Sequence, residues 1–217
     1  MKIINIGEKN SVLNTFIAEI RDKDIQKDAM RFRINLKRIG EIFAYEISKT
    51  LHYSNKEVVT PLGISTCNIF DDQIVIASIM RAGLPLHEGI LSIFDRSQNA
   101  FIAAYRKYGK DNKFNIQVEY ASAPSVEDKI LILADTMLAT GSSIVLAHKR
   151  LCEPAEPLHT HIVAPIASAD GVAYLSKNMS HKKTTLWVGA IDEELTTKSY
   201  IVPGLGDAGD LAYGDKR

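Results

Sequence analysis

The rhythm of apolar and polar positions changes along the chain. Between residues 24 and 49, Ile25, Ala29, Phe32, Leu36, Ile39, Phe43 and Ile47 recur at spacings of three or four. That spacing predicts one long helix with a single apolar stripe and Asp24 as its N-cap. From residue 73 onward the pattern becomes short unbroken apolar runs: QIVIASIM, AFIAAY, KILILAD, HTHIVAPIA and TTLWVGAI. Runs that do not alternate are buried on both faces, as in a parallel sheet covered by helices, and the stretches 84–95, 141–152 and 169–179 supply candidate crossover helices. FNIQVEYASAP at 114–124 does alternate and follows a turn signal at Gly109 and Asn112. It reads as an antiparallel strand in a protruding hairpin. The expected architecture is therefore α/β: a doubly wound, mostly parallel sheet flanked by helices, with an N-terminal helical arm over 1–55 and a β-hairpin flap over 106–124.

Length and composition narrow the picture. The 217 residues contain no repeat, low-complexity tract or linker, so one domain over 1–217 is expected. A hydrophobic fraction of 46% with 24% charged residues excludes disorder for the bulk of the chain. Lys plus Arg and Asp plus Glu both number 26. With no net charge there is no global field to draw in nucleic acid or anionic lipid, and any anion site must be local. Glu8 and Lys9 sit where a signal peptide needs its apolar stretch, and IVIASIM is too short to cross a bilayer, so a cytoplasmic protein without a membrane partner is expected. Cys67 and Cys152, far apart and in apolar surroundings, read as reduced, buried small hydrophobes.

The chemistry concentrates in KILILADTMLATGSSIVLAHKRL at 129–151, where a buried strand ends in Asp135 and a Thr/Gly/Ser loop leads into a helix. In open α/β sheets ligands bind at the carboxyl ends of strands, and a helix N-terminus behind a small-residue loop offers free N–H groups and a positive dipole to a phosphate. Thr140, Ser142 and Ser143 add hydroxyls, Gly141 permits close backbone approach, and the acceptor-only carboxylate of Asp135 suits a sugar diol. GLGDAG at 204–209 satisfies G-x-G-x-x-G, but only eight residues follow Gly209. A dinucleotide fingerprint needs an acidic residue about 20 positions on, so that reading fails. His159 and His161 share a strand face without a third zinc ligand nearby. Neither a nucleophile elbow around Ser142 and Ser143 nor a Walker A loop is present.

The Asp-x-x-x-Ala-Thr-Gly-Ser-Ser segment resembles the phosphoribosyl pyrophosphate (PRPP) motif of type I phosphoribosyltransferases. Three further segments narrow the resemblance: IMRAGLPLHEG at 79–89, similar to ILRAGLGMVDG; the Tyr105-Arg106 pair before the polar flap; and YIVPGLGDAGD at 200–210. Together with MRFRINLKRIGEIFAYE at 30–46, they resemble the uracil phosphoribosyltransferase family over about residues 29–214. The resemblance implies transfer of a phosphoribosyl group from PRPP to uracil, giving UMP and pyrophosphate. It places PRPP against Arg81, Arg106, Asp135, Thr136, Met137, Leu138, Ala139, Thr140, Gly141, Ser142, Ser143 and Asp207. It places uracil against Ile201, Gly206, Asp207 and Ala208 within a C-terminal base-binding loop, 200–217, and gives catalytic roles to Arg106, Asp135 and Asp207. It further implies Mg²⁺ carried mainly by PRPP with no direct protein ligand and GTP binding with no residue assigned. The extra apolar positions of the long N-terminal helix suggest a homodimer or larger homo-oligomer. A PRPP- or UMP-sensing regulator and a phosphoribosyltransferase for another base stand as alternatives. The chain departs from the family pattern at Thr136, where Pro is usual, at Ser78, Pro85 and Ser142, at Glu193-Glu194 and at Leu211.

Overall fold

The computed structural model describes residues 1–108 and 114–215, and the side chains outside 104–119. In chain order the elements are β1 (Lys2–Asn5), α1 (Val12–Arg21), α2 (Ala29–Ser48), β2 (Tyr53–Thr60), β3 (Gly63–Phe70), β4 (Ile74–Met80), α3 (Gly83–Ile93), β5 (Gln98–Tyr108) and β6 (Phe114–Ser122). There follow β7 (Ile130–Ala134), β8 (Met137–Leu138), α4 (Ser142–Cys152), β9 (His159–Ser168), α5 (Ala169–Asn178), β10 (Thr184–Asp192), β11 (Glu194–Leu195), β12 (Ile201–Val202) and α6 (Ala208–Tyr213). The main sheet runs β1-β10-β9-β7-β4-β5-β6 with β8 beside β9. All its pairings are parallel except β5 with β6.

The unbroken apolar runs are explained by two cores, one on each face. Ile74 and Ile76 of β4 and Ile130 and Ile132 of β7 face the core made with α1, α2 and α3. Val75, Ala77, Leu131 and Leu133, the alternate residues, face the core made with α4 and α5. Side chains that alternate faces along a strand must then all be apolar. The three expected crossover helices are α3, α4 and α5, within two residues at each end. The expected flap strand is β6, antiparallel to β5 with an irregular register between Ala103 and Ala104. Its turn signal at Gly109 and Asn112 lies outside the described residues.

Three expectations about the periphery need correction. The long helix starts at Ala29, and its N-cap is Asp28, whose carboxylate accepts from the N–H groups of Met30 and Arg31. Asp22 draws the N–H groups of Asp24 and Ile25 into a turn, so residues 25–27 form a separate 3₁₀ turn and Asp24 caps nothing. The first 55 residues are not all helix: β1 joins the main sheet, and α1 starts at a capping box between Ser11 and Asn14. Residues 53–70 form a separate hairpin, β2 with β3, whose sequence alternates too weakly to announce a strand because both its faces are largely solvated. Cys67 lies in that hairpin and Cys152 at the end of α4, both free but half-buried rather than in the core. Burial still pushes the Cys152 thiol up to about 12, which keeps it un-ionised. His159 and His161 do share a face, with ring centroids 4.7 Å apart. Burial holds His161 down at about 3, so its neutral Nδ1 accepts from Trp187 Nε1 at 3.1 Å.

Helices α2 and α3 cross in backbone contact at Gly40 and Gly89. A Cβ on Gly89 would stand 1.9 Å from the carbonyl oxygen of Lys37, so the helices must part to admit it. Gly89→Ala is expected to destabilise the fold by about 3 kcal/mol, near the upper end of overpacking costs. That corresponds to a Tm about 6–12 °C lower for a chain of this size. Differential scanning calorimetry checks it, and an unchanged Tm would contradict the close crossing.

Candidate active site

A parallel sheet presents the carboxyl ends of its strands on one edge, and the loops after β4, β7, β9 and β10 build the site there. Behind β7 the chain runs through Asp135 and Thr136, lays β8 beside β9, and turns at Gly141 into α4. Gly141 has a φ of 79° and serves as N-cap of α4 without a side-chain cap bond. Only glycine takes that left-handed turn at little cost. The first intrahelical bond runs from the Val145 N–H to the Gly141 carbonyl at 3.1 Å. The N–H groups of Ser142, Ser143 and Ile144 precede that bond and point out of the helix end, a ready anion site. Thr140 Oγ1 and Ser142 Oγ lie 2.7 Å apart and share a hydrogen bond at the mouth of this loop.

Asp135 sits at the start of the same loop. Desolvation pushes its carboxyl up to about 7, against the opposing hydrogen bonds of the Met137 and Thr136 N–H groups. An acidic group poised there changes from donor to acceptor near neutrality. Leu138, by contrast, is 1% exposed and belongs to the core against α4 and α5, so its side chain is packing rather than ligand contact. Two departures from the family pattern have a structural signature. The hydroxyls of Thr136 and Ser78 are buried with no hydrogen-bond partner, unusual positions for a polar side chain.

Ser168, at the end of β9, was not singled out by the motifs. Its fully buried hydroxyl donates to the Ala139 carbonyl at 2.6 Å and accepts from the Gly171 N–H at 2.9 Å. One side chain thus caps α5 and pins the loop between β8 and α4 at Ala139. The sequence signals the cap, a Ser ahead of Asp170 and Gly171, but not the reach of 29 residues back to Ala139.

The C-terminal loop is anchored by β12, paired antiparallel with β11, and by buried Ile201, Leu205 and Ala208. Asp207 caps α6, its Oδ1 accepting from the N–H groups of Gly209 and Asp210 at 2.9 and 3.1 Å. GLGDAG does lead into a helix, though one of only six residues. Arg81, directly after β4, reaches this loop: its Nη2 donates to Asp210 Oδ1 at 2.7 Å and its Nη1 to the Gly214 carbonyl at 3.1 Å. The structure therefore joins the two motifs at 79–89 and 200–210. The backbone of Arg106 lies in β5 opposite Ile116, and its side chain lies outside those described. His87 and Glu88, near the turn after β4, divide: His87 is buried against the Phe101 ring, and burial lowers its pKa.

The sheet order and the Asp-to-Gly141 loop define a class, the type I phosphoribosyltransferase fold. A hypoxanthine phosphoribosyltransferase from Staphylococcus aureus shares that fold, with a TM-score of 0.50 at 12% identity over 74% of each chain. A protein from Aquifex aeolicus with a solved structure superposes at a TM-score of 0.86 and is 29% identical over 98% of each chain. Residues 8–215 match the family model described as uracil phosphoribosyltransferase. A uracil phosphoribosyltransferase of Porphyromonas gingivalis is 50% identical across the full length of both chains. One from Pyrococcus furiosus is 34% identical over 96% of this chain and 88% of its own. The chain belongs to the uracil phosphoribosyltransferase family.

The elevated pKa of Asp135 has a stability consequence with a fixed sign. Between the ordinary value of 3.8 and about 7 the folded protein holds a proton that the unfolded chain releases. Stability is lost as pH rises through that window. Asp135→Asn carries no such titration, so its Tm relative to wild type is expected to climb between pH 4 and 7 and then level off, by the equivalent of about 2–4 kcal/mol. Thermal melts across that range check it, and a constant difference would contradict the raised pKa.

Proposed function

We propose that this protein transfers the phosphoribosyl group of PRPP to uracil, producing UMP and pyrophosphate. The observation that carries the reading is the convergence, at one edge of the sheet, of the Asp135–Ser143 phosphate loop and the 201–210 loop tied to Arg81. The free N–H groups of α4 and the hydroxyls of Thr140, Ser142 and Ser143 hold the 5′-phosphate. Asp135, ionised, accepts hydrogen bonds from the ribose hydroxyls and steadies the positive charge that develops on the ring as pyrophosphate leaves. Arg81 and Arg106 neutralise the leaving group with charged donors. Uracil offers acceptor, donor, acceptor along one edge, and the glycine-rich backbone from Ile201 to Ala208 answers with N–H, C=O and N–H groups.

Mg²⁺ fits this reading as a companion of PRPP. Among the described residues no group of three or more His, Cys, Asp or Glu could hold a metal. The carboxylate of Asp207, whose Oδ1 caps α6, suits an ion that takes most of its ligands from phosphates and water. Bound in that way, the ion adds positive charge at the departing pyrophosphate. A homodimer belongs to the same reading. It is supported by the hairpin tip, where Leu62 is fully exposed and Val59 and Ile64 are largely so, an apolar patch that favours burial. No helix among the described residues is long and apolar enough to cross a membrane.

A pyrophosphate-release assay with PRPP, Mg²⁺ and a panel of bases tests the proposal. Cytosine reverses two of uracil's three hydrogen-bonding positions. At about 1–3 kcal/mol for each buried group left unpaired, it is expected to fall about 10²- to 10⁴-fold below uracil in kcat/KM, and purines to fail on size. Comparable kcat/KM for cytosine or hypoxanthine would overturn the base assignment, and tight PRPP binding with no turnover of any base would point to a sensor instead. In the same assay Ser168→Ala, which frees the loop at Ala139, is expected to raise KM for PRPP about tenfold, as loss of one buried hydrogen bond implies, and leave KM for uracil nearly unchanged. Equal KM values for PRPP would remove Ser168 from the positioning of that loop.

A further inference from the structure

Asp192 closes β10 with a carboxylate that the reaction described above does not use. It is 8% exposed, and Arg21 of α1 reaches it with both terminal nitrogens, Nη1 to Oδ2 and Nη2 to Oδ1, each at 2.8 Å. The pair does more than join α1 to β10. Asp192 Oδ2 also accepts from the backbone N–H of Gly204 at 2.9 Å, and Arg21 Nη1 donates to the Gly204 carbonyl at 3.0 Å. Both polar groups of one glycine are held by one ion pair whose members come from opposite ends of the chain.

Gly204 lies at the root of the 201–208 loop. Its φ is +51°, and a Cβ there would stand 2.2 Å from the Ile201 carbonyl oxygen, so the chain folds back tightly at this point. Ile201 and Leu205 on either side are buried. Two residues further on the character changes: Gly206 has a φ of +92° and open space around it. The loop is thus a buried, gripped root carrying an open crest, and where the crest points is decided at the root.

We infer that Arg21 and Asp192 are positioning residues for the nucleobase: by clamping Gly204 they fix the N–H and C=O groups of the crest where a planar base reads them, without touching the base. This rests on the proposed assignment of the loop to uracil. The physical reason is preorganisation. A backbone that recognises a ligand through two or three hydrogen bonds loses affinity when it must first be ordered. The planar fork of Arg21 serves Asp192 and Gly204 together, which a lysine ammonium cannot do with the same geometry.

The test uses the full chain carrying Arg21→Lys, Arg21→Gln or Asp192→Asn, with two readouts. Amide hydrogen exchange reads the clamp itself: faster exchange confined to residues 201–210 is expected. Steady-state kinetics reads its purpose: KM for uracil is expected to rise about tenfold or more and discrimination against cytosine to shrink, with KM for PRPP within about twofold of wild type. Arg21→Lys, which keeps the charge, is expected to fall between wild type and Arg21→Gln and remains the deciding variant if the other two do not fold. Unchanged exchange in the loop overturns the clamp. Faster exchange with an unchanged KM for uracil, or with both KM values rising together, overturns its role in base positioning. Wild-type protein inert toward every base refutes the reaction reading and with it the base role, an outcome told apart from failure of the clamp by the exchange data.

Discussion

A mostly parallel sheet with both faces covered leaves the loops at its strand ends as the natural place for ligand chemistry, and the candidate site of this molecule is arranged around that constraint. The alternate residues of β4 and β7 are consumed by two separate cores. Ligand chemistry is therefore confined to the loops that follow the carboxyl ends of the strands, where helix N-termini also point. The Gly141 turn is the sharpest expression of this: it delivers the unbonded N–H groups of α4 to the same edge as Asp135 and Arg81.

Loops at a sheet edge are short of packing, and this molecule fixes them with a few partly or fully buried polar contacts of long sequence separation. Ser168 holds the Asp135–Gly141 loop to α5, Arg81 holds the turn after β4 to the C-terminal loop, and Arg21 with Asp192 holds that loop to α1 and β10. On the other side of the C-terminal segment Arg33 of α2 donates to the Ala212 carbonyl at 2.6 Å. Each of these side chains makes at least one bond to backbone, so it sets the path of the chain rather than only adding stability. The arrangement also has costs. Asp135 is desolvated toward neutrality, and the hydroxyls of Thr136 and Ser78 are buried without partners, each a local cost in stability.

What the sequence determined by itself follows from local rules. The unbroken apolar runs gave the parallel strands because burial on both faces forbids alternation, the crossover helices followed as the stretches that must connect parallel strands, and the small-residue loop after Asp135 stood out as an anion-site candidate because a tight glycine turn into a helix frees N–H groups. Elements whose formation depends on remote partners were not legible. The β2–β3 hairpin is largely solvated and shows no clean alternation, β1 is only four residues long and gains its place from β10, and the start of α2 was set by two separate caps, Asp22 on the N–H groups of Asp24 and Ile25 and Asp28 on those of Met30 and Arg31. Tertiary structure alone decided the supporting contacts of the site. Ser168, Arg21 and Asp192 look like an ordinary helix cap and ordinary surface charges in the sequence, because their partners lie 29, 171 and 12 residues away. Only the packed sheet edge brings those groups within hydrogen-bond distance.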